Sequence, residues 1–97
     1  MIVEILEGRI TPERWDSFQQ AYRKKLKSIP TQLVQNFLVQ DINDETLWRI
    51  ISIWRDKQSL DETLKKRIYD TCASMFEEVG IEPTYRIFTI RASHTHV

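Results

Sequence analysis

Apolar positions along the chain change their period several times. The segment Val3 to Ile10 begins apolar and β-branched, the pattern of a short strand. Thr11-Pro12 then reads as an N-cap followed by proline in the first helical turn, where its missing N–H does no harm. Trp15, Phe18, Tyr22, Leu26 and Ile29 recur at spacings of three or four, one apolar stripe on an amphipathic helix. Arg23, Lys24, Lys25 and Lys27 fall mostly on the other faces and near the C-terminal end, where cations suit the helix dipole. Pro30 stops this helix. Leu33 to Gln40 predicts a second strand, with Leu33, Gln35, Phe37 and Val39 on one face and Val34, Asn36, Leu38 and Gln40 on the other. Asp41-Ile42-Asn43-Asp44 is a turn cluster. Leu47 to Arg55 is the third strand, so strands two and three form a hairpin. Ser59-Leu60-Asp61-Glu62 matches a capping box. Leu60, Leu64, Ile68, Cys72, Met75, Phe76 and Val79 follow as a second helical stripe, closed by Gly80 with Pro83 just beyond. Thr84 to Ala92 is the last strand, and Ser93 to Val97 is a mostly polar tail.

The order βαββαβ predicts an α+β fold of ferredoxin-like layout. Two right-handed crossovers on one sheet give a four-stranded antiparallel sheet with two helices on one face, strands one and three at its centre. Residues 1–97 read as one domain, and a chain this short is only modestly stable alone. A sheet with one wet face reads polar on that face. Here Trp48, Ile50 and Trp54 oppose Ile51 and Ile53, Phe88 and Ile90 oppose Tyr85 and Ile87, and Val3 and Ile5 oppose Ile2 and Leu6. Both faces therefore ask for cover, and a sheet-on-sheet homodimer supplies it.

Fourteen basic residues balance fourteen acidic ones. A zero net charge argues against a nucleic-acid partner and against an anionic membrane surface. No apolar run approaches the roughly 18–20 residues of a membrane span. Glu4 and Glu7 interrupt the N-terminal stretch, which lacks the basic start of a signal peptide. The single cysteine, Cys72, rules out an intrachain disulfide and suits a reducing compartment. A cytoplasmic location is the expectation.

Two segments carry a resemblance. Trp48-Arg49-Ile50-Ile51-Ser52-Ile53-Trp54-Arg55-Asp56 leads through Leu60 into a helix. Phe76-Glu77-Glu78-Val79-Gly80-Ile81-Glu82-Pro83 leads into Tyr85-Arg86-Ile87-Phe88. With the opening Leu6-Glu7-Gly8-Arg9-Ile10-Thr11, this resembles the antibiotic biosynthesis monooxygenase domains of the dimeric α+β barrel superfamily, over almost the whole chain. The resemblance implies a cofactor-independent monooxygenase acting on a small aromatic or quinol-like substrate, with no metal or flavin. It also implies a cavity between helices and sheet in which Trp54 stands where the family has its strand-three tryptophan. The asparagine of the polyketide-type enzymes would fall at Ile50. The asparagine of the haem-degrading branch would fall near Gly8, and that branch's histidine would lie in the second helix, which has none. These departures support a second reading, a non-catalytic ligand-binding or interaction module on the same fold.

The residues expected to line such a cavity are Trp54, with Trp15, Phe18 and Tyr22 on the first helix, Phe76 on the second and Tyr85 on the last strand. Trp48 shares a strand face with Trp54 but reads as core or interface. Tyr22, Tyr69 and Tyr85 each carry a phenolic hydroxyl that suits either a ligand or the backbone. Asn36 and Arg49, on paired strands, would meet in a polar site or form a solvated hairpin edge. His94 and His96 have the spacing of a metal pair without an evident third ligand. Cys72 lies on the apolar stripe, as a buried structural thiol does.

Overall fold

Alternation of apolar and other residues in Ile2–Arg9 forms strand β1, and the same period builds β2 (Leu33–Gln40), β3 (Leu47–Trp54) and β4 (Thr84–Thr89). Helices α1 (Trp15–Lys25), α2 (Lys57–Lys66) and α3 (Cys72–Glu78) complete the order. This computed structural model describes residues 1–66 and 72–96, with residues 64–66 described by backbone alone. The strands form one antiparallel sheet in the order β2-β3-β1-β4, so strands one and three are central as expected.

Two details depart from the sequence reading. Helix α1 is flanked by 3-10 turns at Pro12–Arg14 and Leu26–Ser28, and the Thr11 side chain makes no cap bond. Of the second helical stripe, Leu60 lies on α2 and Cys72, Met75 and Phe76 lie on α3, while Leu64 and Ile68, like Tyr69, lie outside the described side chains. Helix α2 also begins earlier than the Ser59 capping box implies. Asp56 supplies the cap, its Oδ1 accepting from the Ser59 backbone N–H at 2.8 Å, which holds its carboxyl below the usual range. Glu62 instead accepts from the Gln58 side chain at 3.1 Å. Gly80 behaves as predicted. At φ 77° it lets its own N–H reach Glu77 O (2.9 Å) and the Ile81 N–H reach Phe76 O (2.9 Å), closing α3.

A register shift between Leu33 and Gln35 explains the imperfect alternation of β2. One extra residue in the edge strand lets Leu33 pair with Trp54 and pack beside it, while Gln35 pairs with Ile53. Without the shift, Leu33 would share the outer face with Phe37.

The helices cover one sheet face. Leu6, Ile10, Phe18, Trp48, Ile50, Met75 and Phe76 form the main core there, and Ile2, Trp54 and Leu60 a second, smaller one. The other face carries half-buried Val3, Ile5, Val39, Leu47, Ile51 and Ile53 and the exposed Phe37 and Phe88. Arg49 pairs there with Glu7 at 2.6 Å.

Candidate functional site

Strand register sets three rows of side chains across the helix-covered face. The first is Tyr85, Leu6, Ile50 and Leu38; the third is Thr89, Ile2, Trp54 and Leu33. Between them runs Ile87, Glu4, Ser52 and Asn36. A polar row thus crosses the inner face between two mostly apolar ones. Glu4 is only 5% exposed and Ser52 only 1%. Burying such groups is costly unless they are hydrogen-bonded.

Both have hydrogen-bond partners. Asn36 Nδ2 donates to Ser52 Oγ at 2.6 Å and lies 3.9 Å from Cys72 Sγ on α3. The Trp54 indole Nε1–H donates to Glu4 Oε1 at 3.1 Å. The Tyr85 and Ser52 hydroxyls stand close enough to the Glu4 carboxyl to favour its charged form. Burial nevertheless outweighs these donors and raises the Glu4 pKa. Burial also raises the Tyr85 phenol, with the nearby Glu4 carboxylate adding to it. The Cys72 thiol is pushed up by burial and then by Glu4, so it rests as a neutral thiol. The row therefore ends at a carboxyl that three side chains address from β3 and β4.

The predicted site residues divide between several places. Trp54 faces the helix layer as expected, but Trp15, Phe18 and Phe76 gather around Trp48 instead. Ring centroids lie 5.9 Å apart for Trp15–Trp48, 6.0 Å for Phe18–Trp48 and 4.9 Å for Phe18–Phe76. These aromatics are core, and Trp54 keeps separate company with Ile2, Leu33 and Leu60. The cause is register: Trp48 and Trp54 sit six residues apart on one strand, near its opposite ends. Tyr22 and Asn36 line a groove of about 390 Å³ between α1 and the edge of β2. Asn36 and Arg49 do not meet, because Asn36 pairs with Ser52 on the inner face while Arg49 points outward to Glu7. Tyr85 lies beside Glu4. His94 and His96 have ring centroids 5.8 Å apart on the exposed tail. Among the described residues no group of three or more His, Cys, Asp or Glu could hold a metal ion. No described helix is long and apolar enough to cross a membrane.

Sequence reasoning missed Glu4 and Ser52 as site residues. Their signal was parity: Glu4 sits between Ile2 and Leu6 on the buried period of β1, and Ser52 between Ile50 and Trp54 on that of β3. The positions expected for family asparagines are filled differently. Ile50 is fully buried core. At Gly8 an added Cβ would stand 2.8 Å from the Phe76 ring, so no side chain fits there without displacing it.

No family model matches the chain, and no curated protein matches it in sequence. Solved structures do match in shape. A protein of Deinococcus radiodurans, proposed to be an antibiotic biosynthesis monooxygenase, superposes with a TM-score of 0.75 at 7% identity, covering 100% of this chain and 99% of that one. A Nitrosomonas europaea protein with the same proposed role gives 0.71 at 12% identity, over 95% and 100%. SnoaB, a cofactor-independent oxygenase from Streptomyces nogalater, gives 0.70 at 14% identity, over 95% and 94%. At these identities the likeness is one of fold: this chain has the ferredoxin-like α+β architecture of the antibiotic biosynthesis monooxygenases.

Proposed function

We propose that the chain is a cofactor-independent monooxygenase acting on a small, electron-rich aromatic or quinol-like substrate. One observation carries the reading. In the fold shared with SnoaB, Trp54 and a buried polar row lie side by side between sheet and helices. Such a substrate reduces oxygen itself once deprotonated, so the protein need only exclude water, orient the ring and move a proton. For an activated methylene the balance is simple: one methylene group and one dioxygen give one carbonyl group and one water. The carbanion passes an electron to dioxygen, the radical pair collapses to a peroxide, and protonation lets water leave. Anthrone and 1,4-naphthohydroquinone are suitable probes, with binding followed by thermal shift and turnover by oxygen uptake over the uncatalysed rate. The specific observation favouring a binding module instead is Ile50, which fills the expected asparagine position with buried hydrocarbon. Binding of both probes without any acceleration of oxygen uptake would decide for the module.

The working unit in this proposal is a cytoplasmic homodimer that buries the outer sheet face. Phe37, Phe88 and the half-buried Ile51 and Ile53 supply its apolar area, with the Glu7–Arg49 pair among them. Light scattering should give twice the chain mass at micromolar concentration, and Ile51→Glu should give a folded monomer. A wild type that scatters as a monomer would remove the dimer.

A further inference from the structure

We infer that Glu4 is the proton acceptor of this site, taking the acidic proton of a phenolic or enolisable ligand that approaches along β4, past Tyr85. The inference rests on the oxygenase reading and deepens it, for nothing in the resemblance assigns a role to position 4.

Three observations carry it. First, Glu4 is a carboxyl among hydrocarbon, flanked on its own strand by Ile2 and Leu6. As an ion it needs donors: the Trp54 indole supplies one, and the Tyr85 and Ser52 hydroxyls stand nearby. A structural position would be filled more cheaply by an aliphatic residue, as its inner-face neighbours on β1 are. Second, Glu4 is itself only 5% exposed, but its inner-face neighbours on β4 are open. Tyr85 and Ile87 point to the same inner face from the neighbouring strand, yet are 43% and 36% exposed. Access therefore runs over β4, between a phenolic hydroxyl and an aliphatic wall. Third, the surroundings suit a ligand that is neutral on arrival. The titratable groups facing Glu4 from the packed elements are Tyr85 on β4 and Cys72 on α3, both pushed up and so uncharged at neutral pH. Tyr22 on α1 interacts with Cys72 and is also pushed up. Asp61 on α2 acts on Tyr85, and Lys25 of α1 acts on Cys72. No described cation pairs with Glu4 directly. An acid held above its ordinary range is a stronger base than a solvated carboxylate.

The proton balance closes on this one residue. The carboxylate takes a proton from the substrate, leaving a carbanion or phenolate and a neutral Glu4. When the substrate anion has reduced dioxygen and the peroxide has formed, Glu4 returns that proton to the terminal peroxide oxygen. That transfer restores the carboxylate, and the hydroperoxide then loses water, its terminal OH leaving with the remaining methylene hydrogen, to give the ketone.

The test compares wild type with Glu4→Gln, which keeps size and polarity. On anthrone, wild-type turnover should climb from acid pH through a pKa above the ordinary carboxylate value. Glu4→Gln should lose that limb and about 10²–10⁴-fold in rate. Its thermal stability at neutral pH should equal or exceed that of wild type. The sign follows from linkage: a raised folded-state pKa means stability is fully present below the unfolded value and lost as pH rises through the folded one. An amide escapes that loss. 4-Nitrophenol gives a readout without oxygen, since at mildly acid pH bound wild type should develop the visible phenolate band and Glu4→Gln should bind the neutral phenol. If wild type accelerates anthrone oxidation and Glu4→Gln matches it in rate, pH profile and phenolate band, Glu4 is not the acceptor. If wild type raises the phenolate band but not the oxidation rate, the acceptor stands and the oxygenase reading falls. A wild type that binds neither probe overturns both.

Discussion

Trp48→Ala should destabilise the chain by about 3–5 kcal/mol, the range for truncating a large buried aromatic. Trp48 is the hub on which Trp15 and Phe18 pack, and it lies in the same cluster as Leu6, Ile50 and Phe76. Its loss opens a cavity that these rings, each held by others, cannot fill. For a domain of this size each kcal/mol shifts the melting temperature by roughly 4–8 °C, so much of the margin of stability is at stake. Trp48→Phe should be much milder. The Trp48 indole N–H has no acceptor among the described residues, so phenylalanine loses ring volume but no bond. Trp54→Phe differs in kind, because the Trp54 indole donates to Glu4 at 3.1 Å and its removal leaves a buried carboxyl short of a donor. Denaturant unfolding of the three variants checks this. If Trp48→Ala cost no more than Trp48→Phe, the aromatic cluster would not be a packed core.

Gly8→Val should be comparably damaging, although it adds atoms instead of removing them. Gly8 pairs with Trp48 in the sheet, and its missing side chain is the space that Phe76 occupies. A Cβ would lie 2.8 Å from Phe76 Cδ1, 2.9 Å from Cε1 and 3.1 Å from Ile81 Cγ2. Phe76 is fully buried against Phe18, so it has nowhere to retreat. Gly8→Ala should cost about 1–3 kcal/mol from overpacking, and valine more. Phe76→Leu should rescue part of the Gly8→Ala loss in a double-mutant cycle, because both changes act on one contact. Additive losses would place the strain elsewhere.

The two tryptophans of β3 show where sequence reasoning reaches its limit. Parity puts both on one face, and the structure agrees. Parity says nothing about which residues of a distant helix lie over each end of the strand. The resemblance gathers Trp15, Phe18 and Phe76 near Trp54; they lie over Trp48, because the packing of α1 and α3 is set by long-range contacts. Asn36 and Arg49 make the same point at shorter range. Neighbouring strands suggest a meeting, but their register sends one inward to Ser52 and the other outward to Glu7.

Element order, the central strands, the face of each residue in β1 and β3, and the Gly80 helix end are local properties. They follow from side-chain period, from proline's missing donor and from glycine's freedom at positive φ, and so they were determined by sequence alone. The bulge that turns Leu33 inward emerged only in three dimensions. So did the joining of Asn36, Ser52, Glu4, Trp54 and Tyr85 into one polar cluster around the Glu4 carboxyl. These residues come from four strands, and strand period is blind to pairing partners. An isolated glutamate in an apolar strand looks like an interruption until its partners are folded around it, and burial then changes its chemistry.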